Sequence, residues 1–297
     1  MLSLDPKSLA IPQLHGYLLG AVGPRPIAFA STIDEDGNAN LAPFSFFNVF
    51  SANPPIMIFS PARSGRTNTT KDTYNNVKKI AEVVINVVTH DIVHQMSLAS
   101  SPYEAGVDEF EKAGFTKLAS ETIRPFRVAE SPVQFECKVN EVIELGNEGG
   151  AGNLVICEVT KIHIDERVIG EDGKIDQHKI DLVSRMGGNW YCRADENSMF
   201  EINKPIVTKG IGFDELPEDV RNSNILTGND LGHLAGIVEL PNETDVNDYK
   251  LIELSDLFVS LEDEQTKLEV ELHKLAQGLL KENKLEEAWM TLLSFNN

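Results

Sequence analysis

A concentration of cationic side chains lies between residues 61 and 80 of a chain that is otherwise strongly anionic. The segment has a local charge of +4, whereas the whole protein has a net charge of −20. Its basic residues are Arg63, Arg66, Lys71, Lys78 and Lys79. Arginine forks, lysine ammonium groups and the free N–H groups of a helix N-terminus all bind phosphate. The segment therefore predicts an anion site in which Lys78 and Lys79 are bystanders. A solvated basic loop is the alternative interpretation.

A second feature lies upstream, where residues 40–48 read N-L-A-P-F-S-F-F-N. Three phenylalanines fall within four positions, flanked by asparagine and serine side chains and interrupted by Pro43. A bent segment that offers backbone N–H groups beside aromatic rings suits a flat heteroaromatic ligand. A buried strand that begins at an edge proline is the alternative interpretation.

These residues must be positioned by strands, because β-branched or alternating apolar runs dominate residues 26–168. Strands are predicted at 27–33, 56–60, 83–88, 133–139 and 154–164. Turns are predicted at 34–38, where an Asp-Gly pair suits a hairpin, and at 146–152, between strands at 133–143 and 153–164. Short helices are predicted at 72–80, with Asp72 or Thr73 as the N-cap, at 91–98 and at 108–113. This order favours a mainly β protein, a mostly antiparallel sheet or β-barrel with peripheral helices.

The last third of the chain has a different pattern, which predicts a boundary near residue 200. Residues 201–297 hold 20 acidic and 8 basic residues and become helical after about residue 245. Leu268, Leu272, Leu275 and Leu279 form one apolar stripe at helical spacing. We expect this stripe to pack on the barrel or on a neighbouring helix at 285–293, with a partner-binding helical hairpin as the alternative.

The composition of the whole chain narrows the possible functions. A net charge of −20 repels nucleic acids and anionic lipid surfaces, so neither is expected as a partner. Three cysteines without a C-x-x-C pair favour a reducing compartment, and no apolar run of about 18 residues occurs, so a cytoplasmic protein is expected. His90 and His94 lack a third ligand, and Gly210-x-Gly212 lacks the setting of a dinucleotide fingerprint. No metal site and no Rossmann domain are therefore predicted.

Several motifs in sequence order resemble one known family. They are R-P-I-A-F-A-S-T (25–32), D-G-N-A-N-L-A-P-F-S-F-F-N (36–48), N-P-P-I-M-I-F-S (53–60), K-D-T-Y-N-N (71–76), V-V-I-N-V-V (83–88), S-P-V-Q-F-E-C-K (131–138) and S-R-M-G-G-N-W-Y (184–191). Over about residues 15–200 the chain resembles the flavin reductase-like, FMN-binding split-barrel family. The resemblance implies a Greek-key antiparallel split barrel that forms a homodimer with FMN at the subunit interface. It assigns residues 1–200 to the FMN-binding domain and leaves residues 201–297 as a loop-rich, then helical, acidic extension.

The resemblance also implies which residues hold the cofactor. Residues 40–48 align with the loop that lines the isoalloxazine, Ser31 and Thr32 approach the same ring or the ribityl chain, and residues 60–73 hold the phosphate. Arg185 reaches the cofactor of either subunit. The expected cofactor-binding residues are Ser31, Thr32, Asn40, Pro43, Phe44, Ser45, Phe46, Asn48, Ser60, Arg63, Lys71, Thr73 and Arg185.

The expected activity is that of an oxidoreductase in which NADH or NADPH reduces flavin and the flavin passes electrons to an unknown acceptor. The flavin ring carries the reactivity, so no catalytic side chain is predicted. Two alternatives stay open. One is an FMN electron carrier without fast NAD(P)H activity of its own, and the other is a non-enzymatic module that binds a protein through its C-terminal helices.

Overall fold

Strands dominate the first part of the chain and helices the second, in the residues that the computed structural model describes, which are 1–202, 204 and 208–296. The chain separates into two units, Met1–Phe200 and Glu201–Asn297. None of the described helices is long and apolar enough to cross a membrane.

The first unit contains eleven strands and four α-helices in its described residues. The strands are β1 (Ala28–Ile33), β2 (Ala39–Phe44), β3 (Phe47–Ala52), β4 (Pro55–Phe59), β5 (Glu82–Asn86), β6 (Lys117–Leu118), β7 (Arg127–Val128), β8 (Val133–Glu144), β9 (Asn153–Ile164), β10 (Val183–Arg185) and β11 (Tyr191–Arg193). The helices are α1 (Ile11–Ala21), α2 (Asp72–Lys79), α3 (Val93–Ala99) and α4 (Glu109–Ala113). The five predicted strands correspond to β1, β4, β5, β8 and β9, and the three predicted helices to α2, α3 and α4.

Seven strands form one antiparallel sheet in the order β2-β1-β5-β8-β9-β4-β3. The edge strands β2 and β3 are joined by only Ser45 and Phe46. Because two residues span so short a distance, the sheet curls until its two edges meet at this connection. The Ser60 amide donates to the Phe46 carbonyl at 2.9 Å and ties the connection to the end of β4. The predicted Greek-key antiparallel split barrel is confirmed.

Both predicted turns are hairpin turns. Between β1 and β2, the Asp34 carboxylate accepts the N–H groups of Asp36 and Asn38, and Gly37 adopts a φ of +88°, which glycine tolerates. Between β8 and β9, the Leu145 amide donates to the Gly152 carbonyl. Strand β8 extends to Glu144, five residues beyond the apolar run at 133–139 and one residue beyond the strand end at 143 that the turn predicts.

The core of this unit lies on both faces of β1, since adjacent residues of a strand point to opposite sides. Phe29 packs with helices α3 and α4 in one apolar cluster, and Ala28 and Ala30 belong to the cluster inside the barrel. Cys137 and Cys157 lie in the inner cluster, as predicted for small core residues. Burial raises the pKa of the Cys137 thiol to about 12, so this thiol stays protonated.

A buried carboxylate on β8 fixes the segment before β7. Glu136 is fully buried and accepts hydrogen bonds from the Thr122 hydroxyl, the amides of Glu121 and Thr122, and His163 Nε2. Burial alone acts to raise the pKa of Glu136, but these hydrogen bonds outweigh it and hold the pKa at about 2. The carboxylate is therefore ionised and fully hydrogen-bonded at neutral pH.

Helices are the regular secondary structure of the second unit over its described residues. Its helices are α5 (Glu218–Arg221), α6 (Gly228–Leu234), α7 (Glu243–Glu253), α8 (Ser255–Ser260), α9 (Gln265–Lys281) and α10 (Leu285–Leu293). Leu268 and Leu272 of the leucine stripe are buried, whereas Leu275 is exposed. Leu279 packs in the apolar cluster around the buried Trp289 of α10, whereas Leu268 and Leu272 pack in a separate cluster with side chains of α7 and α8. The predicted packing on the helix at 285–293 therefore holds for Leu279 but not for Leu268 and Leu272. Gly212, with a φ of +88°, precedes a short 3-10 helix at Phe213–Glu215.

Candidate functional site

The basic loop, residues 60–71 between β4 and α2, is shaped by its own polar side chains. The Ser64 hydroxyl accepts the amides of Arg66 and Thr67, and Asn68 adopts a φ of +56° and donates its amide to the Ser64 carbonyl. The Arg63 guanidinium donates from Nε to Asn68 Oδ1 and from Nη2 to the Asn68 carbonyl, each at 2.7 Å. The loop is therefore a compact turn that holds Arg63 in one orientation.

The hairpin turn between β8 and β9 supports this loop from the side. The Arg63 amide donates to the Ala151 carbonyl, and the Gly150 amide donates back to the Arg63 carbonyl. A Cβ on Gly152 would lie 2.8 Å from Ser60 Oγ, closer than a Cβ atom approaches a non-bonded heavy atom. A larger residue at position 152 would therefore displace either the Ser60 hydroxyl, which accepts the Asn153 amide, or the turn itself.

The five basic side chains of residues 61–80 differ in whether a carboxylate neutralises their charge. Lys78 pairs with Glu144 and Lys79 pairs with Glu35, so the prediction that they are bystanders agrees with their ion pairs. Within the described residues, no carboxylate forms an ion pair with the other three cations of the segment. These three are Arg63, Arg66 and Lys71. Their charge is available to an anion from outside the chain.

Helix α2 begins beside these cations with an uncapped N-terminus. The helix starts at Asp72 and its N-cap residue is Lys71, whose side chain makes no capping hydrogen bond. The prediction that Asp72 or Thr73 is the cap was wrong, because both already lie inside the helix. The first backbone bond of the helix runs from the Asn75 amide to the Lys71 carbonyl. The first-turn N–H groups and the positive end of the helix dipole therefore face the region of Lys71.

A buried polar network connects the start of α2 to the sheet. Asn40 Nδ2 donates to Thr32 Oγ1 at 3.0 Å and to Thr73 Oγ1 at 2.9 Å, and Asn76 Nδ2 donates to Thr32 Oγ1 at 3.1 Å. Three predicted site residues, Thr32, Asn40 and Thr73, are thus brought together. Ser31 lies on the opposite face of β1, and its buried hydroxyl has no hydrogen-bond partner.

The aromatic segment divides between the interior and the surface. The Phe44 ring packs on Phe59 inside the barrel, with ring centroids 5.5 Å apart. The Phe46 ring is exposed and lies edge-on to His15, and the Asn48 side chain is exposed as well. Pro43 and Ser45 are half-buried. Of the predicted ring-binding residues, Phe46 and Asn48 are therefore the accessible ones.

Arg185 lies in a separate group at the start of the sequence motif R-M-G-G. It pairs through its backbone with Arg25, its Nη1 donates to the Trp190 carbonyl, and its guanidinium stacks over the Tyr191 ring at 4.6 Å. No hydrogen bond or ion pair in the described part of the chain joins Arg185 to the basic loop or to the Thr32 network.

Asn153 is a candidate that the sequence did not reveal. Its side chain is almost completely buried, its amide N–H donates to Ser60 Oγ, and its Nδ2 donates to the Pro61 carbonyl. Its Oδ1 atom has no partner, which leaves a buried acceptor beside the basic loop. The only sequence signal was a polar residue at the start of an otherwise apolar strand run, which is common at strand ends.

The chain matches one protein family and has relatives among known proteins. The family model described as "Flavin reductase like domain" matches residues 21–178. An uncharacterised protein of Halalkalibacterium halodurans is 37% identical over 210 residues, which cover 70% of this chain and 99% of that protein.

Solved structures give the same result. Component B of nitrilotriacetate monooxygenase from Bacillus cereus has a TM-score of 0.64 at 29% identity, covering 68% of this chain and 98% of that one. A Shewanella frigidimarina protein described as a flavin reductase with a split barrel domain has a TM-score of 0.56 at 26% identity, covering 67% and 96%. About a third of this chain therefore has no counterpart in these proteins.

Proposed function

Since this chain belongs to the flavin reductase-like family, we propose that it binds FMN beside the basic loop and reduces it with NADH or NADPH, and that the reduced flavin passes electrons to a further acceptor. The observation that carries the proposal is the set of three unneutralised cations, Arg63, Arg66 and Lys71, next to the uncapped N-terminus of α2. A terminal phosphate is the ligand group that this arrangement suits best.

The residues around the loop support the rest of the cofactor. The Thr32 and Thr73 hydroxyls belong to a hydrogen-bonded network that leads from the start of α2 to the sheet, and such groups suit the ribityl hydroxyls. The unpartnered Oδ1 of Asn153 is an acceptor for a ligand N–H or O–H group. Phe46, whose backbone carbonyl accepts the Ser60 amide, supplies an exposed aromatic ring next to the same loop.

The protein's part in the reaction is binding and orientation. Bound FMN supplies a ring that takes up a hydride and returns electrons singly or in pairs. The basic loop and the end of α2 fix the phosphate, and the Thr32 network fixes the chain attached to it. No side chain of this site is required to donate or remove a proton, so we assign no catalytic residue.

We further propose that two copies of the chain form a homodimer, with FMN at the subunit interface. Helix α1 has no buried residue, and its Ile11 and Leu18 side chains are exposed. The edge strand β3 likewise exposes Val49 and Phe50. A second copy that covers these apolar surfaces would remove them from water. The three free cysteines suit a reducing compartment, and we therefore place the protein in the cytoplasm.

One anaerobic titration tests the proposed activity. The protein is loaded with FMN, and the visible flavin absorbance is followed while NADH or NADPH is added in separate experiments. Bleaching within the time of catalytic turnover supports the reductase. A stoichiometric FMN complex that bleaches only with dithionite, and not with either nucleotide, would instead support the function of an electron carrier. Absence of any FMN complex contradicts both.

A further inference from the structure

The helical unit contains a groove that the proposed redox function does not use. It lies where α7 and α10 begin and has a volume of about 520 Å³. Apolar side chains of Ile237, Leu240 and Leu285 line it, together with Pro241. Ile237 and Leu285 are continuous with the core around Trp289, so the floor of the groove is held in place by the packed helices.

Three carboxylates surround this apolar floor. Glu239 lies in the segment before α7, Asp245 in the first turn of α7, and Glu286 in the first turn of α10. None of the three forms an ion pair within residues 208–296 as described. The electrostatics of helix N-termini account for Asp245 and Glu286, which stabilise the helices that they begin. That effect does not account for Glu239, nor for the exposure of Leu240.

The spacing of these three carboxylates excludes a metal ion as the ligand of the groove. A metal ion needs several ligand atoms within a few ångströms of one another. In the described part of the chain, the only such group is His90, Asp91 and Asp181, in the other unit. The groove carboxylates therefore present a spread negative charge around an apolar centre. Such a surface matches an extended ligand with several positive charges and an apolar anchor between them.

We propose that this groove binds a lysine- or arginine-rich segment of a partner protein, whose apolar side chain enters between Leu240 and Leu285. The unit supports this choice through its overall charge, because residues 201–297 hold 20 acidic and 8 basic residues. Cationic segments are attracted to the whole unit and are held at the groove, where apolar contact adds to the charge pairing. The acidic extension thus brings a second protein to the flavin-binding unit.

A peptide-binding experiment on the full-length protein tests the proposal. The probe is a short fluorescein-labelled peptide in which leucine pairs alternate with lysine pairs, and the reference peptide has glutamate in place of lysine. Binding is followed by fluorescence anisotropy. We expect the double variant Glu239→Gln/Glu286→Gln to raise the Kd of the lysine peptide about fivefold, as two exposed charge pairs are lost. Glu253→Gln/Glu262→Gln, with the same change of net charge outside the groove, is the matched control and should leave Kd within about twofold.

A second pair of variants tests the apolar contact. Leu240→Ala removes the exposed leucine of the groove and should weaken the lysine peptide about fivefold. Val259→Ala removes an apolar side chain that is exposed elsewhere on the same unit and should change little. Equal effects of the two double variants, equal binding of both peptides, or no binding of the lysine peptide would each overturn the proposal. FMN affinity, measured in parallel, should be the same in all variants, so failure here leaves the redox function intact.

Discussion

Two lysines of the same segment show why charge alone does not identify a ligand-binding residue. Lys71 stands at the N-cap of α2 without a carboxylate partner, whereas Lys79 ends the helix and pairs with Glu35. The sequence placed both in one basic window. Only the tertiary fold, which brings the β1–β2 turn to the end of α2, shows that one of the two charges is neutralised.

Substitution of Lys71 tests the phosphate site directly. Lys71→Ala should raise the Kd for FMN about fivefold, corresponding to roughly 1 kcal/mol for a solvent-exposed charge on phosphate. Lys79→Ala, which removes the same charge from the other end of the helix, is the control and should have little effect. Both are measured by quenching of flavin fluorescence at low ionic strength. Equal affinities for the two variants would show that the phosphate lies elsewhere.

Glu136 gives a residue-level prediction about pH. Its pKa falls from 4.5 to about 2 on folding, so the folded protein binds fewer protons than the unfolded chain in this range. Its contribution to stability is therefore complete above about pH 5 and is lost as the pH falls towards 2. Glu136→Gln should lower the free energy of unfolding most at neutral pH, and the difference from wild type should shrink in acid, as measured by urea denaturation. Glu141→Gln, an exposed change on the same strand, should show no such trend.

The candidate site could be predicted from sequence only where the signal was local. Arg63 and Lys71 stood out because their charge opposes that of the whole chain. Asn153 could not be found in this way, because its relevance depends on a contact with Ser60, 93 positions away. Ser31 and Thr32 were assigned to one ligand as neighbours, yet strand geometry places them on opposite faces of β1.

At the scale of elements, the turn between β8 and β9 determines the position of the basic loop. Strand runs rich in β-branched residues were predicted well, because burial and propensity agree there. The apolar run at 133–139 stops short of the end of β8 because the polar residues Asn140 and Glu141 interrupt it, whereas the turn at 146–152 predicts a strand end at 143, one residue from the observed end. The start of α2 at residue 72 was predicted correctly, but its N-cap was assigned too late, because Asp72, a common capping residue, already lies in the first turn.

Gly152→Ala tests whether the turn between β8 and β9 positions the basic loop. The new Cβ would meet Ser60 Oγ at 2.8 Å, so either the Ser60 hydroxyl must leave its hydrogen bond with the Asn153 amide or the turn must move from the loop. We expect a loss of about 1–3 kcal/mol of stability in thermal or urea denaturation, together with weaker FMN binding. Gly65→Ala, in the same loop but with no atom within 4 Å of the added carbon, is the matched control. If both variants behave like wild type, the contact between turn and loop does not position the site.

At the scale of the whole molecule, each unit has its own apolar core. The barrel encloses one group of buried residues around Phe59, and the helices enclose another around Trp289. The sequence indicated this division through charge and periodicity. It could not indicate a use for the second unit, because the relatives compared above leave about a third of this chain unmatched.

Removal of the helical unit tests this independence. A chain that ends at Phe200 should fold, bind FMN with an affinity within about twofold of the full-length protein and retain its reaction with NADH or NADPH, because every residue assigned to the flavin site precedes that position. Isothermal titration with FMN provides the affinity. Loss of FMN binding by a well-folded truncated protein would show that the extension takes part in the site.

The burial of two of the three cysteines has a practical consequence. Cys137 and Cys157 lie in the barrel interior, and only Cys192 is partly exposed. A maleimide dye should therefore label the native protein once, and labelling of the other two thiols requires the barrel to open. The rate at which the second and third dyes attach, measured by mass spectrometry with and without FMN, would report how often the barrel opens. If FMN lowers this labelling rate, the cofactor stabilises the strands that surround these thiols.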